Sequence, residues 1–186
     1  NLMNYPVLKE NEQAGKYKII TWPDFGGSDA VVMMNQTYQK DEDLGNLMRN
    51  RDFRIAMSYA TNRTQIQEGP FMGLGEPRNA VAAPWHPYYP GDEVAYKYTE
   101  FKQDEANKML DAIGLDKKNA DGYRLYKGTD KVVQIEISVV PAFGPWPDVA
   151  QLVAKDWEAV GIKTIVQVRE RALHFQMRDS NDIQTE

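Results

Sequence analysis

A chain of 186 residues with 42% hydrophobic and 26% charged residues has the make-up of one globular domain, or a domain with part of another, rather than of a disordered segment. Its net charge of −5 argues against nucleic acid, which wants a basic face, and no apolar run approaches the ~20 residues that span a bilayer. The absence of cysteine removes disulfides, thiolate zinc sites and thiol catalysis but leaves the compartment open.

Residues 1–16 are polar with little periodicity and read as a short helix or loop. Tyr17–Trp22 reads as a strand, 23–28 as a turn, and Ala30–Met34 as a second strand. Residues 36–49 are polar and acidic enough for a loop. From Asp52 to about Gln67, Phe53, Ile55, Ala56, Met57, Tyr59, Ala60 and Ile66 supply a wide helical face. The stretch 69–91 holds four glycines and five prolines, which forbid long regular structure. Its Trp85 and Tyr88 are expected to pack and pin it as a surface loop.

Farther on, Ala106, Met109, Leu110 and Ile113 fall at i, i+3, i+4 and i+7, one apolar stripe on a helix over 104–113. Asp104 is placed to cap it, and Gly114 to take the left-handed position after its end. Asp121-Gly122 makes a turn between short strands. Val133, Ile135, Ile137 and Val139 alternate with polar residues, the period of a half-buried strand. Pro147 suits the first turn of a helix that carries Leu152, Val153 and Trp157, the last read as core, and stops at Gly161. Ile162–Val168 is a strand and 170–179 a final helix.

Catalytic and metal-binding patterns are weak. Lys117 and Gly128 would occupy the first and twelfth positions of a calcium loop, where carboxylates are required. His86 and His174 have no ligand pattern around them and read as polar surface groups. Ser28, Ser58, Ser138 and Ser180 lack a nucleophile elbow, so no serine is expected to have a paired base. Asp24 and Asp29 read as loop carboxylates, and Gly73-Leu74-Gly75 is no nucleotide fingerprint. No enzyme activity, cofactor or metal is expected.

One loop stands apart. Residues 140–147, V-P-A-F-G-P-W-P, join a strand to a helix start, and such loops lie at the carboxyl edge of an α/β sheet, where ligands bind. An exposed Trp146 stacks well on a sugar or peptide face, and the helix start offers free N–H donors. Asp148 competes for those donors, which favours a neutral or cationic ligand group. The alternative is that Phe143 and Trp146 merely seal the end of the domain.

The order of these units carries more than any one of them. Asn35 ends a strand; Arg54, Ala56, Ala60, Asn62 and Arg63 match a helix of pattern R-x-A-x-x-x-A-x-(D/N)-R; Gly73 and Pro77 sit in the proline-rich loop. Tyr96, Tyr98, Ala106, Leu110 and Gly114 match the next block, Asp121-Gly122 the turn, and Gly161-Ile162 the end of the later helix. Over roughly residues 17–183 the chain resembles the extracellular solute-binding proteins of ABC importers, the family of oligopeptide-, dipeptide- and nickel-binding proteins. Asn62 stands where that family more often has Asp.

The resemblance implies an α/β fold, one lobe of a two-lobed type II periplasmic-binding-protein-like receptor, with a mixed sheet flanked by helices. On that map residues 1–34 are the tail of lobe one and the way into the hinge, and 35–186 are lobe two. It implies non-catalytic capture of a peptide, oligosaccharide or similar solute and delivery to ABC permease subunits, by a monomer with no nucleic-acid partner. The place is extracytoplasmic, in the periplasm or on the outer membrane face, with a lipid anchor outside this stretch. With no signal peptide or lipidation Cys in it, the chain is expected to be an internal piece. It is also expected to stop about where the strand returning to lobe one would begin, so no residue is given the role of pairing with a peptide's amino terminus. The loop with Phe143, Trp146 and Asp148 faces the cleft under this resemblance. Asn35 at the hinge, and Trp22 and Phe25 in the lobe-one tail, are the further candidate ligand contacts. The rival readings are a hydrolase, or a non-transport sensor module, on a similar scaffold.

Overall fold

A computed structural model describes residues 4–22, 27–142 and 144–186. Two short helices come first, α1 (Tyr5–Glu10) and α2 (Glu12–Gly15), and neither buries a residue. The strands expected over 17–22 and 30–34 do not form as such. Residues 17–22 carry no ladder, and the second stretch contributes one antiparallel bridge, Met34 to Thr185. β-branched residues favour a strand only where a neighbouring strand accepts their backbone groups.

A helical layer follows: α3 (Glu42–Arg49), α4 (Arg51–Ala60), α5 (Arg63–Glu68), α6 (Asp92–Ala95) and α7 (Gln103–Ala112). The loop expected over 36–49 is thus largely helix. Asp41 caps α3 by accepting the Leu44 N–H, and Leu44, Leu47 and Met48 are buried on one face. The helix expected from 52 to 67 is broken at Thr61-Asn62. Asn62 accepts the Gln65 N–H at 3.1 Å to start α5, and its own N–H donates to Asp156 at 2.7 Å. The family-matching polar residue is therefore a helix cap. Asp104 lies inside α7, whose first flanking residue is Lys102, while Gly114 does take a positive φ of 91° after the helix end.

The sheet is β1 (Gln134–Val139) paired in parallel with β2 (Lys163–Val168), joined by α8 (Trp146–Ala159). α8 covers one face, burying Val149, Val153 and Trp157 in a common core with Ile135, Ile137, Phe53, Met57 and Leu110. Trp157 is 2% exposed, and its indole N–H donates to Met57 O and Thr61 Oγ1, as its reading as core requires. α9 (Arg171–Asp179) reaches the other face through His174, which meets Ser138.

Arg124 ties the far end together. Its side chain is 2% exposed. It donates to Val160 O at 2.7 Å, to Leu115 O, to Asn107 Oδ1 at 2.7 Å and to Asp111 at 2.5 Å. Gly161, at φ 90°, lies against it, and a Cβ there would sit 3.0 Å from both Arg124 Cγ and Gly122 O. Only glycine accepts both the backbone angle and the contact.

Candidate functional site

β1 and β2 end at one edge of the sheet, and each runs straight into the start of a helix, 140–145 into α8 and Arg169-Glu170 into α9. The carboxyl edge of a parallel α/β sheet is where such folds hold ligands. Two further segments converge there. Thr185 bridges Ile137 in parallel and Met34 antiparallel, and Met33 and Glu186 exchange backbone hydrogen bonds at 2.7 and 3.1 Å. Asn35 N–H donates to Gln184 O at 2.9 Å. Residues 33–35 and 184–186 therefore lie side by side and antiparallel, with 184–186 running toward the carboxyl edge. Residues 184–186 thus pair at about the place where the sequence put the start of a returning strand.

Trp146 is the first residue of α8, which puts Pro147 in the first turn as expected, and Trp146 is half-buried rather than a free loop tip. Its ring leans on Phe71 with centroids 6.3 Å apart, tilted by 48°. Gly144 is required beneath it, since a Cβ there would lie 2.4 Å from Trp146 Cζ2. Among the described residues no side chain caps α8, and Pro147 has no N–H, so no described side chain takes up the first-turn N–H groups of Trp146 and Asp148. Asp148 is exposed and lines an open groove of about 750 Å³ between α8 and the end of α5.

The other predicted contacts are scattered. Trp22 is 83% exposed. Phe25 and Phe143 lie outside the described residues, as does Asp24. The Asn35 amide is consumed locally: its Nδ2 donates to Asn181 Oδ1 at 2.7 Å and Ile183 O at 2.8 Å, and its Oδ1 accepts from Thr37 N–H and Oγ1. Asn35 lines a smaller cavity of about 210 Å³ with Arg178, Asn181 and Glu186, while Asp148 belongs to the larger groove. Trp85 and Tyr88, expected to pack and pin the proline-rich loop, are 56% and 84% exposed.

The sequence reading missed a buried polar cluster on the α9 face. Ser138, 1% exposed, has its Oγ 3.0 Å from His174 Nδ1, and His174 Nε2 is 2.9 Å from Glu186 Oε2. His174 is 6% exposed. Arg169 donates to Ser138 Oγ at 2.8 Å and pairs with Glu136 at 2.7 Å. His174 is thus no surface group, and Ser138 does have an imidazole partner. Ser138 Oγ accepts from Arg169, and the two imidazole nitrogens of His174 face Ser138 Oγ on one side and Glu186 on the other. A nucleophile needs an accessible Oγ. This one is covered and held by a guanidinium, so the cluster fastens β1, α9 and residues 184–186 together. One signal was readable: Leu173, Phe175 and Met177 do not form a single stripe on α9, which leaves the inward position to His174.

Among the described residues no group of His, Asp or Glu could hold a metal ion, and no helix is long and apolar enough to cross a membrane.

The family described as "Bacterial extracellular solute-binding proteins, family 5 Middle" matches residues 2–184. The oligopeptide-binding protein OppA of Lactococcus lactis subsp. lactis is 26% identical over 163 residues, 88% of this chain and 25% of its own length. A solved oligopeptide-binding protein OppA superposes over all of this chain and 28% of its own, with a TM-score of 0.85 and 32% identity. The periplasmic oligopeptide-binding protein of Thermotoga maritima shares the fold, with a TM-score of 0.71 over 98% of this chain and 33% of its own, at 20% identity. The chain spans about a quarter of the length of the curated relatives it matches. On the profile over nearly its whole length, it belongs to the bacterial extracellular solute-binding proteins, family 5.

Proposed function

We propose that residues 35–186 form the second lobe of a receptor that captures a peptide between two lobes and hands it to an ABC permease without turning it over. Residues 1–34 are, on this reading, the tail of the first lobe. The observation that carries it is the antiparallel pairing of 33–35 with 184–186 at the carboxyl edge of the sheet. Two adjacent connections at one edge suit a hinge, and on this reading the facing lobe lies across from loop 140–145 and Trp146. The exposed apolar side chains of the first segment, Val7, Ile20, Trp22, Val31 and Met33, suit burial against a larger body. Peptide is the favoured solute because relatives that share 26% and 32% identity with the chain are oligopeptide-binding proteins. Closure over the ligand completes contacts that neither lobe makes alone, so the ligand favours the closed form. The receptor works outside the cytoplasm as a monomer, tethered by a lipid outside this stretch. Asp148, Phe143, Trp22, Phe25 and the Asn35 hinge remain its proposed ligand-side residues.

The test is calorimetry on the whole receptor with an unblocked oligopeptide. Trp146→Ala should weaken binding by about 1–3 kcal/mol, the scale of a lost aromatic contact. Unchanged affinity in a variant that still folds would show that Trp146 only closes the end of the lobe onto Phe71.

A further inference from the structure

The cluster around His174 is short of one positive charge. Glu136 faces Arg169 at 2.7 Å and Glu186 faces His174 at 2.9 Å, so two carboxylates share a single permanent cation, Arg169. The side chains of Glu136 and Glu186 are 24% and 26% exposed, too enclosed for water to screen them fully. Every element packed on the ring has been counted. β1 presents Glu136 and Ser138, the end of β2 presents Arg169, and residues 184–186 present Glu186. Residues 33–35 bring no charge. On α9 itself, Arg171 and Arg178 lie over the Phe175 ring, 5.4 and 4.7 Å from its centre. Arg178 pairs with Asp179 at 3.4 Å, and Glu170 caps the helix by accepting the Ala172 and Leu173 N–H groups. Past the helix end, Asp182 is paired with Lys40 at 2.6 Å. Among the described residues, His174 is the group placed to supply the missing charge.

We propose that His174 is a pH-sensitive clasp: protonated, it locks residues 184–186, and the antiparallel segment 33–35 beside them, onto β1 and α9; neutral, it lets them loosen. Protonation puts an N–H on each ring nitrogen. One then points at Ser138 Oγ, 3.0 Å away, and the other at Glu186 Oε2. The second bond becomes charge-assisted, about twice as strong as a neutral one. Burial of the ring opposes its charge. A half-buried carboxylate with no counter-ion opposes the neutral state more, and the protonated ring removes that cost by matching Glu186 as Arg169 matches Glu136. Glu186 passes the tie on, because its backbone exchanges hydrogen bonds with Met33 at 2.7 and 3.1 Å, while Thr185 O accepts the Ser138 N–H at 2.8 Å. The clasp lies within this chain; that the two segments it holds connect two lobes rests on the proposed function. On that reading, the hinge of an extracytoplasmic receptor stiffens as its surroundings acidify.

Amide hydrogen exchange on the 186-residue chain tests the clasp, read as protection factors so that the intrinsic pH dependence of exchange cancels. From about pH 8 to about pH 5, the range in which histidine ordinarily changes charge, protection of the Met33, Asn35 and Glu186 amides should rise about three- to ten-fold. That lies between the scales of an exposed ion pair and a buried charged hydrogen bond. Protection in α8 should not change. The ring signals of His174, one of two histidines in the chain, should move over the same range. Glu186→Gln keeps the shape of the contact and removes its charge, so the rise should vanish there, and His174→Gln should remove it as well. Protection in the natural chain that ignores pH, or falls on acidification, would overturn the clasp. So would a rise that survives either substitution, which would place the sensitivity in another pair such as Lys40 and Asp182. None of these outcomes touches the two-lobed reading, which ligand affinity in the whole receptor decides.

Discussion

Arg124 offers the sharpest test of how this fold is held. Arg124→Met keeps a long apolar stem and removes the guanidinium. Two buried carbonyls, Val160 O and Leu115 O, then lose their donor, at about 1–3 kcal/mol each for an unsatisfied group. The Asn107 amide loses a partner at 2.7 Å. Asp111 is 53% exposed, so its lost ion pair adds less than about 1 kcal/mol. Part of this is offset by the thioether's packing. The expected net loss is about 3 kcal/mol, or about 6–12 °C of melting temperature at ~2–4 °C per kcal/mol for a chain of this size. Arg124→Lys should fall between, since one ammonium cannot reach all the acceptors that the planar fork spans. Urea unfolding followed by far-UV circular dichroism measures both. A loss below about 1 kcal/mol for Arg124→Met would refute the view that these carbonyls depend on Arg124.

Three further outcomes follow from the same geometry. Ser138→Ala strands His174 Nδ1 and one Arg169 N–H and should cost about 1–3 kcal/mol of stability; esterase or peptidase activity that vanished with this hydroxyl would instead make the cluster catalytic. Burial raises the Asp156 carboxyl above its ordinary range, partly opposed by the Asn62 N–H. The native state then holds the proton longer than the unfolded chain, so this contribution to stability is full below the unfolded pKa and fades as pH rises through the folded one. The urea midpoint of the natural protein should therefore gain on that of Asp156→Asn between about pH 7 and pH 4, and a gap independent of pH would contradict the shift. Amide exchange should be fast over residues 4–22, whose helices bury nothing, and slow in β1, α8 and β2; uniform early exchange across 104–168 would refute an independently folded core.

The α8 and β2 unit was legible because its cues are local: Pro147 at one end, Gly161 at the other, and a β-branched run after it. The helix α3 was not, although Leu44, Leu47 and Met48 are spaced for it, because Gly45 and the surrounding acids mask the stripe. Gly45 is there for a contact, as a Cβ would meet Tyr38 O at 2.4 Å, and such a contact is invisible in a linear reading. The strands expected at 17–22 and 30–34 have strand-like composition, but pairing is a property of two segments. At the candidate site, the loop and helix start at 140–148 could be placed from sequence. The Ser138, His174 and Glu186 cluster could not, since 36 and 12 positions separate its members and only the sheet brings them together.

On the proposed function, this chain supplies half of a peptide site that closure completes. Titrating an unblocked oligopeptide into the whole receptor, and separately into this 186-residue chain, tests it most directly. One site is expected in the whole receptor, with a negative heat-capacity change, and affinity in the isolated chain weaker by about 100-fold or more, the ~3 kcal/mol that a missing half of the contacts represents. Equal affinity in the two proteins would contradict it.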